Sequence, residues 1–214
     1  MSLLNVLIHP DRALVAVDTR MMEVETGRYF EGSKMFPMIH SNVLFACRGD
    51  RVFPLFVFDW FLGCMGEAFR TYDLDAVERD IPVVLAKVKE RYTEKSDLHG
   101  AAESHLGIDL VVVGWSEKHQ TMRGLSCVSE RGGEFSIGAM ETGRLGPIPT
   151  EDLRHVHCND EVEYHTTVAR SQVRQVRRDD PGFPIGGRLL LAELTRDTLS
   201  VRTVADLEQS PTHA

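Results

Sequence analysis

The sequence predicts an α+β fold in which two antiparallel β-sheets are stacked between two layers of helices, in the order αββα. Two observations predict it. Short apolar runs come in pairs joined by turn residues, which is typical of antiparallel hairpins. Helical patterns occur in two separate blocks among these strands, so each block can cover the outer face of one sheet. The 214 residues, 43% hydrophobic and 26% charged, suffice for one domain with a substantial core.

The first hairpins are predicted near the start of the chain. Apolar runs at 3–8 and 13–19 flank the turn sequence HPDR, with proline at its preferred turn position. A second pair of strands is predicted at 34–39 and 43–49. Pro37 lies in the first run of this pair and cannot donate to a sheet ladder, so we expect that strand at a sheet edge or beginning later.

Two helices are predicted next, over about 52–69 and 75–95. Asp50 could cap the first helix, which contains the most apolar stretch of the chain, 52–66. We interpret this stretch as a buried helix because a membrane span needs roughly 20 apolar residues. The second helix repeats apolar residues every three or four positions, which indicates one buried face. Pro82 inside that pattern predicts a kink or a later start.

Strands return in the second half of the chain. The continuous apolar run 107–115 is typical of a strand covered on both faces. QTMRGLSCVS and EFSIG are predicted as the next strands, and 139–159 as an irregular region rich in glycine and proline. A third helix is predicted over 160–178. RLLLAEL and TLSVRTV form a last hairpin, so we assign 1–207 to a single domain and 208–214 to a flexible tail.

The composition argues against several classes of function. A formal net charge of -8 is unsuited to general nucleic-acid binding, which requires a basic surface. The four cysteines are scattered without a CxxC pair, as in a reducing compartment. The first apolar run lacks the basic flank of a signal peptide. We therefore expect a cytoplasmic protein that binds neither nucleic acid nor a membrane.

Two polar clusters are interpreted as structural. The segment HVHCND brings two histidines, a cysteine and an aspartate together, a combination that can bind zinc. No second ligand pair with metal spacing occurs, so we favour a surface loop and predict neither a metal nor a cofactor. Four arginines fall on one stripe of the third helix, which indicates a solvated face or a subunit contact. The eight residues are His155, His157, Cys158, Asp160, Arg170, Arg174, Arg177 and Arg178.

Three short motifs follow one another along the chain. ALVAVDTR is an apolar run that ends in Asp18, Thr19 and Arg20; SKMFPM begins a strand with Lys34; IGGRLLLAEL enters a strand through two glycines. In this order and spacing, the motifs resemble those of proteasome β-type subunits and their bacterial relatives, which are N-terminal-nucleophile (Ntn) hydrolases. The resemblance extends over nearly the whole chain. It implies a divergent bacterial-type member with the four-layer αββα sandwich of that family.

The resemblance also implies a catalytic residue at the start of the mature chain. In the family a threonine begins that chain, and the family's spacing to Asp18 and to Lys34 leads both times to Ser2. Removal of Met1 would make Ser2 the amino terminus. Ser2 would then be the nucleophile and its own α-amine the base. Lys34 would tune the site, and Asp18 would orient Lys34.

Other family positions are filled differently, so two functions stay open. The oxyanion-hole glycine aligns with Arg48 without a gap and with Gly49 after a shift of one residue; an N–H of either would stabilise the oxyanion. Ile185, Gly182 and residues 138–140 occupy the positions of supporting side chains. The chain is predicted to be either a peptide or small-amide hydrolase or a catalytically inactive subunit with a structural or assembly role. A homo-oligomer, in the form of a ring or a stack of rings, is expected in both cases.

Overall fold

The computed structural model describes residues 2–23, 26–49, 52–68, 72–98, 107–130, 133–140, 142–147 and 160–208. Within these ranges the chain forms twelve strands, three α-helices and one short 3-10 helix (Ile39–Ser41). The helices are α1 (Val52–Ala68), α2 (Leu74–Leu98) and α3 (Glu161–Asp179). The strands are β1 (Leu4–Ile8), β2 (Arg12–Asp18), β3 (Arg20–Met22), β4 (Tyr29–Glu31), β5 (Met35–Met38), β6 (Val43–Gly49), β7 (Ile108–Ser116), β8 (Thr121–Ser129), β9 (Ser136–Met140), β10 (Gly143–Gly146), β11 (Arg188–Thr195) and β12 (Leu199–Asp206).

The strands form three antiparallel sheets. The first sheet has the order β10-β1-β2-β11-β12, and the second has the order β5-β6-β7-β8-β9. A small third sheet pairs β3 with β4. Because hairpins build the sheets and the helices are segregated along the chain, the protein is of the α+β class.

Three clusters of buried apolar side chains form the core. The first cluster joins α1 and α2 to the second sheet, the second cluster contains side chains from both large sheets, and the third cluster joins α3 to the first sheet. Side chains of a strand alternate between two faces. In β2, Val15 accordingly belongs to the second cluster and Ala16 to the third. This double coverage explains why β2 is a continuous apolar run.

The structure differs from the sequence predictions at several points. The predicted edge position of Pro37 is confirmed, because β5 is an edge strand of the second sheet. The alternative of a later start of α2 is wrong: this helix begins at Leu74 and continues through Pro82, which lies on its exposed side. The prediction that 139–159 is irregular is wrong at β10, which pairs with β1. The pair of short strands β3 and β4 was not predicted.

Some sequence predictions fall outside the described residues. These are the predicted helix cap Asp50, residues 148–159 of the glycine- and proline-rich region, residues 209–214 of the predicted tail, and Met1. Among the helices of the described ranges, none is long and apolar enough to cross a membrane.

Candidate functional site

Asp18 is the last residue of β2, the central strand of the first sheet. Both neighbouring strands run antiparallel to β2, so β1 and β11 begin beside the point where β2 ends. The register pairs Leu4 with Val17, and Leu189 with Asp18. The pairing of the sheet therefore brings the segments that precede β1 and β11 to the two sides of Asp18.

The carboxylate of Asp18 is fully buried and accepts three hydrogen bonds. Its Oδ1 accepts from the backbone N–H of Leu3 at 2.9 Å and from Lys34 Nζ at 2.6 Å. Its Oδ2 accepts from the backbone N–H of Gly186 at 3.0 Å. An ionised carboxylate has about four lone-pair sites, so it can accept all three bonds. Asp18 thereby joins the start of β1, the turn before β11 and Lys34.

Lys34 immediately precedes β5, and its side chain is only 4% exposed. Its carbonyl oxygen accepts from the N–H of Cys47 in β6 at 2.9 Å, which fixes the backbone from which the side chain extends. Lys34 and Asp18 form a buried ion pair that connects the two large sheets. Removing both charges from water is costly, so such a pair needs close geometry and additional hydrogen bonds. The bonds from Leu3 and Gly186 meet that need.

Ser2 is packed against the protein, with 8% of its surface exposed. Its carbonyl carbon is bonded to the Leu3 nitrogen, whose N–H donates to Asp18 Oδ1. That oxygen is the one to which Lys34 Nζ also donates. Among the predicted site residues, the structure therefore brings Ser2, Asp18 and Lys34 into one buried region.

Arg48 and Gly49 lie at the end of β6. The Arg48 side chain is one quarter exposed, and its Nε lies 3.8 Å from Asp109 Oδ2 on β7. A Cβ added at Gly146 would lie 2.8 Å from Arg48 Nη1, so the guanidinium lies against β10. Gly49 has a φ of +94°, which side chains rarely adopt, and a Cβ there would overlap the carbonyl of Gly107.

The backbone N–H groups at the end of β6 point in different directions. The N–H of Cys47 donates to Lys34 and therefore points toward β5. Successive residues of a strand direct their N–H groups to opposite sides, so the N–H of Arg48 points toward β7 and that of Gly49 again toward the side of Lys34. Within the described residues, neither residue forms a hydrogen bond with Ser2.

Three contacts near this region were not predicted from the sequence. The Gly186 N–H that donates to Asp18 belongs to a turn before β11. Arg177, predicted within a solvated or subunit-contact stripe, is one third exposed and donates to Glu208 Oε1 and Oε2 at 2.7 and 2.8 Å. Glu208 also accepts from the Gly187 N–H at 2.8 Å. Arg177 and Glu208 are 31 residues apart and carry no motif, so no local signal could have paired them.

The described residues contain no group of three or more histidine, cysteine, aspartate or glutamate side chains that could hold a metal ion. Of the predicted HVHCND cluster, His155, His157 and Cys158 lie outside the described residues. Asp160 is described and caps α3 by accepting from the Glu163 N–H at 2.7 Å. A helix cap is a structural use of this carboxylate.

Comparison with known proteins assigns no family: no protein-family model matches the chain, and no curated protein matches it. The function is therefore inferred from the site itself. The site consists of a buried carboxylate that holds a buried lysine next to the residue following Ser2.

Proposed function

We propose that the chain is a divergent Ntn-type hydrolase related to proteasome β-subunits, which cleaves peptide or small-amide bonds with Ser2 as its nucleophile. One observation carries the proposal: Asp18 Oδ1 accepts both from Lys34 Nζ and from the N–H that follows Ser2. This contact supports the assignment of Ser2 from the motif spacing, because the buried side chain of Lys34 and the residue after Ser2 share one acceptor oxygen. The resemblance of the three motifs supplies the reaction class.

The proposed architecture is the four-layer αββα sandwich of the Ntn family. Its support is the composition of the three core clusters. One cluster joins α1 and α2 to the second sheet, one is shared by the two large sheets, and one joins α3 to the first sheet. A stack of helix, sheet, sheet and helix has these three apolar interfaces.

The proposed chemistry uses groups of Ser2 itself. A serine hydroxyl is a weak nucleophile without a neighbouring base, and a free α-amino group with a reference pKa of about 8 can serve as that base. A positive charge on Lys34 disfavours a second positive charge nearby and therefore favours the neutral form of the amine. Asp18 holds Lys34 in position.

In the proposed reaction, Ser2 Oγ attacks the amide carbon while its proton passes to the α-amine. The resulting tetrahedral intermediate collapses as the amine returns that proton to the leaving nitrogen. This step leaves an ester between Ser2 and the acyl part of the substrate. Water then attacks the ester by the same proton route and regenerates the hydroxyl. No cofactor takes part in these steps.

The proposed oxyanion donor is the N–H of Gly49 rather than that of Arg48. Strand alternation supports this choice, because the Cys47 N–H points toward β5 and the Gly49 N–H shares its side. The N–H of Arg48 points toward β7, where the register pairs it with Asp109. An oxyanion needs a donor aimed at the site where charge develops, so the direction of the N–H decides between the two residues.

A catalytically inactive subunit is the second candidate. The positions of supporting side chains in the family carry Gly182, Ile185 and residues 138–140 in this chain. Ile185 is fully buried in the cluster beneath α3, so apolar packing occupies that position. The two candidates differ in one observable property: only the hydrolase requires a mature chain that begins with Ser2.

We also propose a homo-oligomer, in the form of a ring, for either candidate. The support is an apolar surface on α1, where Val52, Leu55 and Leu62 are 50%, 40% and 42% exposed. A repeated heterologous contact forms a closed ring when its rotation permits. Light scattering should therefore give a multiple of the 24.1 kDa chain mass. A monomer alone at micromolar concentration would contradict this proposal.

The hydrolase is tested with fluorogenic peptide amides and three proteins: the wild type, Ser2→Thr and Ser2→Ala. The wild type should release the fluorophore, and Ser2→Thr should retain part of the rate because it keeps both the hydroxyl and the amine. Ser2→Ala should have no activity while its oligomeric state and melting temperature stay unchanged. Equal activity of Ser2→Ala and the wild type would exclude Ser2 as the nucleophile.

A further inference from the structure

The turn before β11 is held by Asp18 and also by two residues that follow β12, Leu207 and Glu208. Gly186 donates its N–H to Asp18 Oδ2 at 3.0 Å. The next residue, Gly187, donates to Glu208 Oε1 at 2.8 Å, and its carbonyl accepts from the Leu207 N–H at 2.7 Å. Gly186, which contacts Asp18, is therefore adjacent to Gly187, whose N–H is bound by Glu208 and whose carbonyl is bound by Leu207.

Two arginines in turn fix the carboxylate of Glu208. Arg177 of α3 donates to both carboxylate oxygens and also to the carbonyl oxygen of Ile185 at 3.2 Å. Arg20 Nη2 lies 3.1 Å from Glu208 Oε1. Partial burial would raise the pKa of Glu208, but the bonds from the Gly187 N–H and Arg177 lower it below its usual value. Glu208 is thus a charged acceptor at neutral pH.

The glycine turn needs such support because its own backbone is permissive. Gly186 and Gly187 have φ values of +124° and +73°, which only glycine adopts readily. Glycine also loses the most conformational freedom when it is fixed, so two in succession do not hold a turn by themselves. A Cβ at Gly186 would overlap both Glu208 and Arg177, so these side chains pack directly on the turn.

We propose that Glu208 and Arg177 are positioning residues for Asp18, which act by holding the Gly186–Gly187 turn so that the Gly186 N–H stays on the carboxylate. Without them the turn keeps the bonds from the Arg20 and Leu207 N–H groups to its two carbonyl oxygens, at 3.1 and 2.7 Å, but Gly187 loses its acceptor and the Gly186 N–H can leave Asp18 more often. The expected effect of Asp18 on catalysis rests on the proposed function. The role of Glu208 and Arg177 in holding the turn does not depend on it.

The test uses graded variants of Glu208 and a matched control. Glu208→Ala removes both the acceptor and the charge, whereas Glu208→Gln keeps an oxygen that can accept from the Gly187 N–H. The control is Glu117→Ala, which removes another two-bond pair of a glutamate with an arginine. Arg196 Nη2 donates to Glu117 Oε1 and Oε2 at 3.0 and 3.2 Å, at the opposite end of β11. Both glutamates are more than a third exposed, so the variants are expected to fold.

The first readout is amide hydrogen exchange of Gly186 and Gly187, followed by NMR under native conditions. Glu208→Ala should accelerate exchange at Gly186 by at least about tenfold through local opening, with a smaller effect in Glu208→Gln and none in Glu117→Ala. The second readout is hydrolysis of a fluorogenic peptide amide. Glu208→Ala should lower kcat about tenfold with little change in KM, because the orientation of the site changes and substrate contacts do not. Glu208→Gln should restore part of kcat.

The outcomes separate this inference from the proposed function. Unchanged exchange at Gly186 in Glu208→Ala overturns the inference, whether or not the wild type is active. Faster exchange together with an inactive wild type supports the held turn and contradicts the hydrolase. Faster exchange in an active enzyme whose kcat does not change overturns the positioning role. An equal loss of kcat in Glu117→Ala would show a general effect of stability and would also overturn it.

Discussion

The central strand β2 carries a charged residue at each end, and the two ends are built differently. At its start, Arg12 Nη2 lies 2.8 Å from Glu161 Oε1, with side chains 41% and 31% exposed. At its end, Asp18 lies 2.6 Å from Lys34, with side chains 0% and 4% exposed. The distances are similar, so the difference between the ends is solvation.

The difference in solvation determines how much each ion pair contributes to stability and whether its charge can influence chemistry. Water can reach both partners of the partly exposed pair at the start of β2, so that pair contributes little to stability. The pair at the end of β2 has almost no contact with water, so the surrounding protein largely determines its energy. The buried end is therefore the end at which a charge can influence chemistry.

The largest expected effect comes from removing the buried cation. Lys34→Met should lower the free energy of unfolding by about 3–5 kcal/mol, because it leaves the Asp18 carboxylate buried without its partner. Arg12→Met, which removes the cation at the exposed end, should cost about 1 kcal/mol or less. Urea unfolding of the two variants and the wild type measures both values.

A double variant sharpens this comparison. Asp18→Leu in the Lys34→Met background removes the unpaired charge and should recover part of the lost stability. Equal destabilisation by Lys34→Met and Arg12→Met would mean that the buried pair is exposed or separated in solution.

The second prediction concerns a buried neutral group near the exposed end. His165 lies one turn after Glu161 on α3, is fully buried, and has no hydrogen-bond partner at either ring nitrogen among the described residues. Burial lowers the pKa of His165 to about 4 from 6.5, against the opposing effect of the Glu161 carboxylate. The unfolded chain therefore binds a proton between these two values that the folded protein does not.

The sign of the pH dependence follows from this difference. The contribution of His165 is complete above pH 6.5 and is lost as the pH falls toward 4, a loss of about 3 kcal/mol. His165→Leu should be less sensitive to acid over this interval, as measured by urea unfolding at several pH values. The same acid sensitivity in His165→Leu and the wild type would contradict the buried neutral imidazole.

The third and smallest prediction compares two glycines with similar positive φ angles. Gly187, beside Asp18, has a φ of +73°, and Gly27, in the turn between β3 and β4, has a φ of +67°. A Cβ at Gly187 would lie 2.7 Å from Thr19 Oγ1, whereas one at Gly27 would meet nothing within 4 Å. In both alanine variants the new side chain strains a backbone with positive φ. Only in Gly187→Ala does the added methyl group also clash with a neighbouring side chain.

Gly187→Ala should therefore be less stable than Gly27→Ala by at least about 1 kcal/mol. Thermal and urea unfolding of the two variants measure the difference directly. Equal losses would indicate that Thr19 moves away freely, which would contradict a tightly packed end of β2.

The sequence was sufficient to predict the parts of the fold that depend on local patterns. β6 was predicted at its observed bounds, and α1 and α3 were predicted to within one residue at either end, because apolar spacing and turn residues mark them. Lys34 and Asp18 were paired through motifs, and their contact follows from the strand pairing around β2. β10 and the short strands β3 and β4 were missed because they lack an alternating apolar pattern.

Contacts between distant segments could not be predicted. The bonds of Glu208 to Arg177 and Gly187 join the end of β12 to α3 and to the turn before β11. Each residue looks like an ordinary surface charge or turn residue in the sequence. Only the folded arrangement shows that they support the carboxylate of Asp18.

The central claim is that Ser2 is the nucleophile of this site. The most direct test is the intact mass of untagged, natively expressed protein after incubation with a β-lactone, which acylates nucleophilic hydroxyl groups. We predict a chain that lacks Met1 and carries one adduct on the wild type and none on Ser2→Ala. Retained Met1, or the same adduct on Ser2→Ala, would contradict the hydrolase and leave the inactive subunit as the function.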